Sequence, residues 1–213
     1  MGERESYKTI EGEAIGEIVE KKSRFIGRLC HVETEEEALA FIDEVKAEHR
    51  TARHNVYAYV LRNGRVRYTD DGEPSGTAGM PVLEALQHAG LQDVGCVITR
   101  YFGGVLLGTG GLVRAYTQAV HAALEAADIV TISPCVDITL TAPYNLYEQI
   151  TRLAAAHGAQ TLSADFTDAV ALAFRMEDGT QAPFVDALTE LLRGADTVQV
   201  SDVFDAPMTL TEG

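Results

Sequence analysis

The stretch that organises this chain consists of two segments, DDGEPSGTAG at residues 70–79 and TRYFGGVLLGTGGLVRAY at residues 99–116. The first segment, called the acidic loop, combines acids, a proline and glycines, which support neither a helix nor a strand. The second segment predicts a strand ending at Arg100, a glycine loop over residues 103–111, and a helix opening at Leu112. Glycine lets a ligand or another chain approach the backbone closely, so both loops are candidates for a binding site.

The carboxylates of the acidic loop allow two interpretations. Asp70, Asp71 and Glu73 are able to hold a hard cation, act as a base or face a cationic partner. Alternatively, the loop is a solvated turn that caps a helix starting near Gly79.

The glycine loop also allows two interpretations. It places bare backbone N–H groups at a helix N-terminus, flanked by Arg100 and Arg114, and this arrangement favours an anion. The glycines fit close packing of a helix on a sheet equally well, because they remove side chains from the contact. Their spacing matches neither the P-loop nor the dinucleotide-binding motif.

A hairpin leads into the acidic loop. Asn63-Gly64 predicts a turn that pairs Arg62 with Arg65, so that position 57 meets position 70. His54 starts the first strand of this hairpin and is therefore expected near the acidic loop. There it would serve as a general base or as a structural hydrogen-bonding group.

The remaining elements are predicted from the spacing of apolar residues and from the residues that begin or end helices and strands. Two N-terminal strands are joined by a basic turn at residues 20–23, and Thr34 with Glu37 forms a capping box for a helix over residues 35–49. Residues 131–134 break the pattern, which places a boundary between domains 1–134 and 135–213. The second domain reads β-α-β-β-α-β, with strands at 136–140, 160–166, 169–176 and 196–203 and helices at 145–157 and 182–192, the latter ended by Gly194.

Composition excludes several classes of protein. The net charge of −15 argues against broad, unspecific binding of phosphate backbones, although residues 1–134 hold 14 of the 17 lysines and arginines, which leaves room for a basic face. No apolar run reaches the length of a membrane span and no signal peptide is present, so a cytoplasmic protein is expected. The three cysteines and six histidines lack metal-binding spacing, and neither metal nor cofactor is predicted.

The two segments together resemble the signature of the IMPACT/YigZ family. The resemblance extends to Lys22-Ser23-Arg24-Phe25 and Ala52-Arg53-His54-Asn55 and covers most of residues 15–125. Leu106 departs from the pattern, since many members are expected to carry lysine there. If that lysine helps to bind a phosphate, such binding is weakened in this chain.

The resemblance implies an α+β protein of two domains. The N-terminal domain would have the left-handed βαβ fold of a ribosomal small-subunit protein, elongation factor G and GHMP kinases. The C-terminal domain, 135–213, would be ferredoxin-like and similar to the last domain of elongation factor G. Eukaryotic relatives act in translational control through a partner protein, but they carry a further N-terminal module that is absent here, so the identity of that partner does not transfer.

Three functions remain open from the sequence. The favoured one is a translation-associated protein that contacts RNA, the ribosome or a translation factor through the two loops, with Tyr101 or Phe102 stacking a base. The second is an enzyme that acts on a phosphorylated small molecule or nucleotide in a cleft between the same two loops. The third is an adaptor whose acidic second domain docks a basic partner. The favoured function assigns the binding site to His54, Asp70, Asp71, Gly72, Glu73, Ser75, Gly76, Thr77, Arg100, Tyr101, Gly103, Gly104, Gly108, Gly110, Gly111 and Arg114.

Overall fold

The computed structural model describes residues 5–193 and 197–208. It divides into two compact units, one formed by Tyr7–Val130 and the other by Met1–Ser6 with Thr131–Gly213. The α+β fold predicted from the sequence is confirmed.

The first unit is built on a five-stranded sheet. Its elements are β1 (Tyr7–Ile10), β2 (Glu13–Glu20), β3 (Ser23–His31), α1 (Glu35–Glu48), β4 (His54–Val60), β5 (Val66–Thr69), α2 (Gly79–His88), β6 (Val94–Tyr101) and α3 (Thr109–Glu125). The sheet has the order β2-β3-β6-β4-β5, and each neighbouring pair is antiparallel. β1 lies outside this order, and its Lys8 forms a parallel bridge with Leu91.

Helices cover both faces of this sheet because its strands alternate apolar side chains between the two faces. On one face, α1 packs Phe41 and Ile42 against Tyr59 and Val97. On the other face, α2 and α3 cover the core that contains Phe25, Leu29, Cys96 and Ile98. The predicted cap of α1 is confirmed, since the Glu37 N–H donates to the Thr34 hydroxyl at 3.2 Å.

Two glycines let α3 approach the sheet closely. A Cβ atom added to Gly16 would lie 2.2 Å from the carbonyl carbon of Ala122, and one added to Gly27 would lie 2.6 Å from the carbonyl oxygen of Ala119. A side chain at either position would therefore push the helix away from the strands.

The second unit is a ferredoxin-like layer of two helices on a sheet. Its elements are β7 (Ile129–Ala142), a 3₁₀ turn (Tyr144–Leu146), α4 (Tyr147–Ala156), β8 (Gln160–Phe166), β9 (Val170–Glu177), α5 (Ala182–Leu191), β10 (Gln199–Val200) and β11 (Phe204–Met208). The order β8-β9-β7-β10 is that expected of the split βαβ motif. β11 pairs antiparallel with the first half of β7.

Four local predictions need correction. The break at residues 131–134 is wrong, because β7 runs through it. Pro134 pairs with Asp205 in the ladder with β11, whereas the ladder with β9 begins only at Cys135, so on the β9 side no N–H of Pro134 is needed. The predicted strand 196–203 is reduced to β10 within the described residues, while Gly194 and Asp196 lie outside them.

The hairpin register is also wrong by one residue. Tyr57 pairs with Thr69 and Val60 with Val66, because the loop contains three residues rather than two. Gly64 alone has a positive φ, +84°, whereas a two-residue type I′ turn requires positive φ at both of its central residues.

Finally, α3 begins at Thr109, three residues before the predicted start. Gly110 and Gly111 therefore belong to the first turn of the helix instead of preceding it. Within the described residues, no helix is both long and apolar enough to span a membrane.

Candidate functional site

The sheet topology brings the two loops together. β5 and β6 flank β4 and run antiparallel to it, so both end beside the start of β4, where His54 pairs with Arg100. The acidic loop follows β5 and the glycine loop follows β6. The expectation that these loops and His54 lie close together is therefore confirmed.

Two carboxylates of the acidic loop hold the backbone around them. Asp70 accepts hydrogen bonds from the N–H groups of Gly76, Ala78 and Gly79 at 2.8–3.1 Å and so caps the start of α2. Asp71 accepts from the Asn55 N–H at 2.6 Å. The capping interpretation thus describes Asp70, and Asp71 ties the loop to β4.

Glu73 points into the protein interior. It accepts from Arg100 Nη1 at 2.5 Å and from the Tyr116 hydroxyl at 2.8 Å, and His54 Nε2 lies 3.7 Å from the same oxygen. Only 4% of the Glu73 side chain and 5% of the Arg100 side chain are exposed. Burial, together with the charge of Glu73, raises the pKa of Tyr116, so its hydroxyl keeps its proton and remains a donor.

Arg100, which was expected to flank an anion site at the glycine loop, is instead buried against Glu73. Besides pairing with Glu73, its guanidinium donates to the Ser23 hydroxyl at 3.4 Å, and its buried Nε has no hydrogen-bond partner among the described residues. An anion would have to displace Glu73 to reach it. The enzyme interpretation is affected in the same way, because its proposed base and carboxylates are already hydrogen-bonded to the protein.

The other predicted residues in and beside the acidic loop either lie on its outer surface or form hydrogen bonds that stabilise it. His54 donates from Nδ1 to the Asp71 carbonyl at 2.7 Å, and Gly72, with φ +83°, leaves room over the imidazole ring. Thr77 is buried and donates to the Pro74 carbonyl. Ser75 and Gly76 are exposed.

The glycine loop, in contrast, faces outward. Leu106 at its tip is 83% exposed and Val105 is 40% exposed, while Leu107 anchors the loop in the core. Gly104 and Gly108 have positive φ, which side chains rarely adopt. The N-cap residue of α3 is Gly108, which has no side chain to cap the helix, and the first turn of α3 contains no acid.

The two aromatic residues before this loop face different ways, as expected for neighbours in an extended chain. The Tyr101 hydroxyl hydrogen-bonds to His49 Nδ1 at 2.9 Å on the α1 side of the sheet. Phe102 is 39% exposed, and the guanidinium of Arg53 lies 5.5 Å from its ring centre. Phe102, not Tyr101, is therefore the aromatic surface next to the glycine loop.

Sequence reasoning left several neighbours of this loop out of the site. Gly103 donates its N–H to the Ser23 hydroxyl at 3.2 Å, and its Cα packs against the Lys22 carbonyl. The basic turn at Lys21-Lys22 thus borders the glycine loop, as does Arg53. Its charge was visible in the sequence, but nothing local indicated that it contacts a loop 80 residues away.

Several other basic residues of the first unit form ion pairs. Arg24 pairs with Glu17, Arg28 with three glutamates and Arg65 with Glu35. In the part of the chain that the structure describes, no carboxylate forms an ion pair with any of the cations around the loop, namely Lys21, Lys22, Arg53 and Arg114. Arg114 is exposed on the first turns of α3.

Comparison with known proteins follows this division of the chain. The Impact N-terminal domain matches residues 21–124, and a domain of unknown function (DUF1949) matches residues 140–195. The IMPACT family member YigZ of Escherichia coli (strain K12) is 37% identical over 82% of this chain and 88% of its own length. An IMPACT family member of Thermus thermophilus is 38% identical over 82% of this chain and 96% of its own.

Two solved structures are also similar. A crystal structure of a hypothetical protein shares 34% identity and a TM-score of 0.60 over 92% of this chain and 96% of that chain. A structure of the two-domain translational regulator Yih1 shares 26% identity and a TM-score of 0.37 over 55% of this chain and 48% of that chain.

Proposed function

Because the chain belongs to the IMPACT family, we propose that it is a translation-associated binding protein that contacts RNA through Phe102 and the glycine loop. The link to translation comes from the family. The choice of RNA rests on one observation: the exposed Phe102 ring lies beside Arg53, near the lysine turn and Arg114, and none of these cations pairs with a carboxylate of the described residues.

This combination suits single-stranded nucleic acid. Lysine and arginine contact phosphates, and an exposed ring offers a surface on which an unstacked base can lie. The guanidinium of Arg53 lies 5.5 Å from the centre of the Phe102 ring, so a positive charge lies beside the exposed aromatic surface. Arg114 and the uncapped N-terminus of α3 would add attraction for phosphate at the far end of the loop.

The acidic loop has a supporting part in this proposal. Its carboxylates hold α2, β4 and Arg100 in place, and only exposed atoms of Gly72, Ser75 and Gly76 would border the ligand. A net charge of −15 opposes polyanions at long range, so binding should be moderate and strongly dependent on salt.

The test is fluorescence anisotropy with a labelled single-stranded RNA of about 12 nucleotides, supported by co-sedimentation with ribosomes. Phe102→Ala should weaken RNA binding by about 1–3 kcal/mol, the usual contribution of one stacked base. Phe166→Ala is the matched control, because Phe166 is 53% exposed and lies in the second unit.

Two results would contradict the proposal. One is an absence of RNA binding by the unmodified protein at low salt. The other is equal RNA affinity of Phe102→Ala and Phe166→Ala, which would leave the exposed ring without the role given to it.

A further inference from the structure

The turn between β2 and β3 has an unfavourable backbone for its sequence. Glu20 pairs with Ser23, so the two residues between them form a tight hairpin turn. Both are lysines with positive φ, +45° at Lys21 and +68° at Lys22. Such turns favour Asn-Gly, because residues with a Cβ atom are strained in the left-handed region.

Tertiary contacts hold this turn in place. The Ser23 side chain is fully buried and accepts from the Gly103 N–H and from Arg100. A Cβ atom added to Gly103 would lie 2.0 Å from the carbonyl carbon of Lys22, so the two backbones touch. The strained turn is thus fixed against the glycine loop, and strain that surrounding structure maintains is typical of functional sites.

The charge of the turn is also available. Both lysines are exposed, and neither forms an ion pair anywhere in residues 5–193 or 197–208. The next cation, Arg24, is held by Glu17 through two hydrogen bonds of 2.7 Å. Two compact, mobile ammonium groups are therefore carried beside a loop that begins next to Phe102.

We propose that Lys21 and Lys22 form a phosphate-binding turn that holds the backbone of single-stranded RNA while a base stacks on Phe102. This inference rests on the proposed function and adds a contact outside the two loops. Lysine binds phosphate as a point charge, which suits the irregular backbone of an unpaired strand. Duplex RNA offers no free base to Phe102, so it should bind less tightly.

The decisive variant combines Lys21→Asn with Lys22→Gly in the full chain. It replaces the strained residues with those that the turn favours and removes both charges. The affinity for the labelled single-stranded RNA should fall about tenfold per lysine at about 50 mM salt. The slope of log affinity against log salt should fall by about 1.4, which corresponds to two lost phosphate contacts.

The same variant should be more stable than the unmodified protein, with a thermal midpoint raised by about 2–4 °C. The matched control combines Arg193→Asn with Arg152→Gln. Arg193 is an exposed cation whose φ is also positive, +54°, and both residues lie in the second unit. This control removes two positive charges but should leave RNA affinity within twofold.

Each other outcome overturns the inference in a distinguishable way. If the lysine variant binds RNA as tightly as the unmodified protein does, the turn has no role, while the proposed function stands. If both variants lose affinity equally, only the total charge matters. If the thermal midpoint of the lysine variant falls, the turn was not strained, and the argument that the fold maintains a strained turn for binding fails. If the unmodified protein does not bind RNA, both proposals fail.

Discussion

Glu73→Gln should strongly destabilise the first unit. The substitution preserves the size of the side chain and an oxygen that can accept from Tyr116, but it removes the negative charge opposite Arg100. Both side chains of the pair are at least 95% buried, so the guanidinium would remain charged in a site that water hardly reaches. Breaking a buried pair from one side costs about 3–5 kcal/mol. Because the Tyr116 hydrogen bond persists, we expect about 3 kcal/mol.

Urea unfolding followed by far-UV circular dichroism measures this loss, since the chain contains no tryptophan. Hydrogen exchange of the β6 amides assigns the transition to the first unit, because a chain of two units need not unfold in one step. The double variant with Arg100→Met removes both charges and should regain much of the lost stability.

A loss below about 1 kcal/mol for Glu73→Gln, the range of exposed ion pairs, would refute the reasoning. So would simple additivity of the two substitutions, because it would mean that the side chains do not interact. The prediction also shows that Arg100→Ala is a poor probe of ligand binding, since it leaves the Glu73 carboxylate buried without its cation.

Three further experiments test the close packing of α3, the cap of α2 and the surface charge of Glu35. Gly16→Ala would place a Cβ atom 2.2 Å from the α3 backbone, so it should lower the free energy of unfolding in urea by about 1–3 kcal/mol. The control Gly110→Ala, inside α3, should raise that free energy slightly. Equal effects of the two substitutions would refute the close approach of α3 to the sheet. Asp70→Ala should cost about 2 kcal/mol, at the upper end for a helix cap, and an unchanged midpoint would show that the three N–H groups have other acceptors. The hydrogen bond from Tyr59 lowers the pKa of Glu35 in the folded protein. The wild type should therefore exceed Glu35→Gln in stability by the full amount above the ordinary pKa near 4.5, and this difference should vanish as the pH falls through the lower pKa of the folded state. A difference that persists in acid would contradict this.

Local rules predicted most of the fold because most elements are specified by nearby residues. Thr34 with Glu37 marks the start of α1, and alternation marks the strands of the second unit. The errors arose where neighbouring sequence permits two geometries. Asn63-Gly64 suits a two-residue or a three-residue loop, and only backbone torsion angles decide between them. A proline usually breaks a strand, but Pro134 precedes the β9 ladder and pairs with Asp205 of β11, so the strand loses no hydrogen bond to β9.

The candidate site was predictable in its location but not in its orientation. The predicted hairpin placed His54 close to the acidic loop, at one end of the strands, although its predicted register was wrong by one residue. The sequence does not distinguish Asp70, which binds backbone, from Glu73, which turns inward to Arg100. That difference depends on β6 and α3, which contribute Arg100 and Tyr116. The packing of Lys22 on Gly103 is equally non-local, so a turn that reads as a solvated hairpin tip becomes part of the site.

The acidic loop therefore contacts the protein interior, whereas the glycine loop faces the surface. The carboxylates of the acidic loop accept hydrogen bonds from the protein itself, and Glu73 neutralises Arg100. The other cations around Phe102 are then the local source of positive charge. Salt screens exposed charges beyond about 8–10 Å under physiological conditions, so a ligand at this surface would be affected by those cations more strongly than by any carboxylate beyond that distance, despite the net charge of −15. If the proposed function holds, a polyanion would be repelled at long range and attracted once it reached the surface. Such a protein should favour short, flexible RNA segments that can reach the surface, in place of long duplexes that also lie against the acidic remainder.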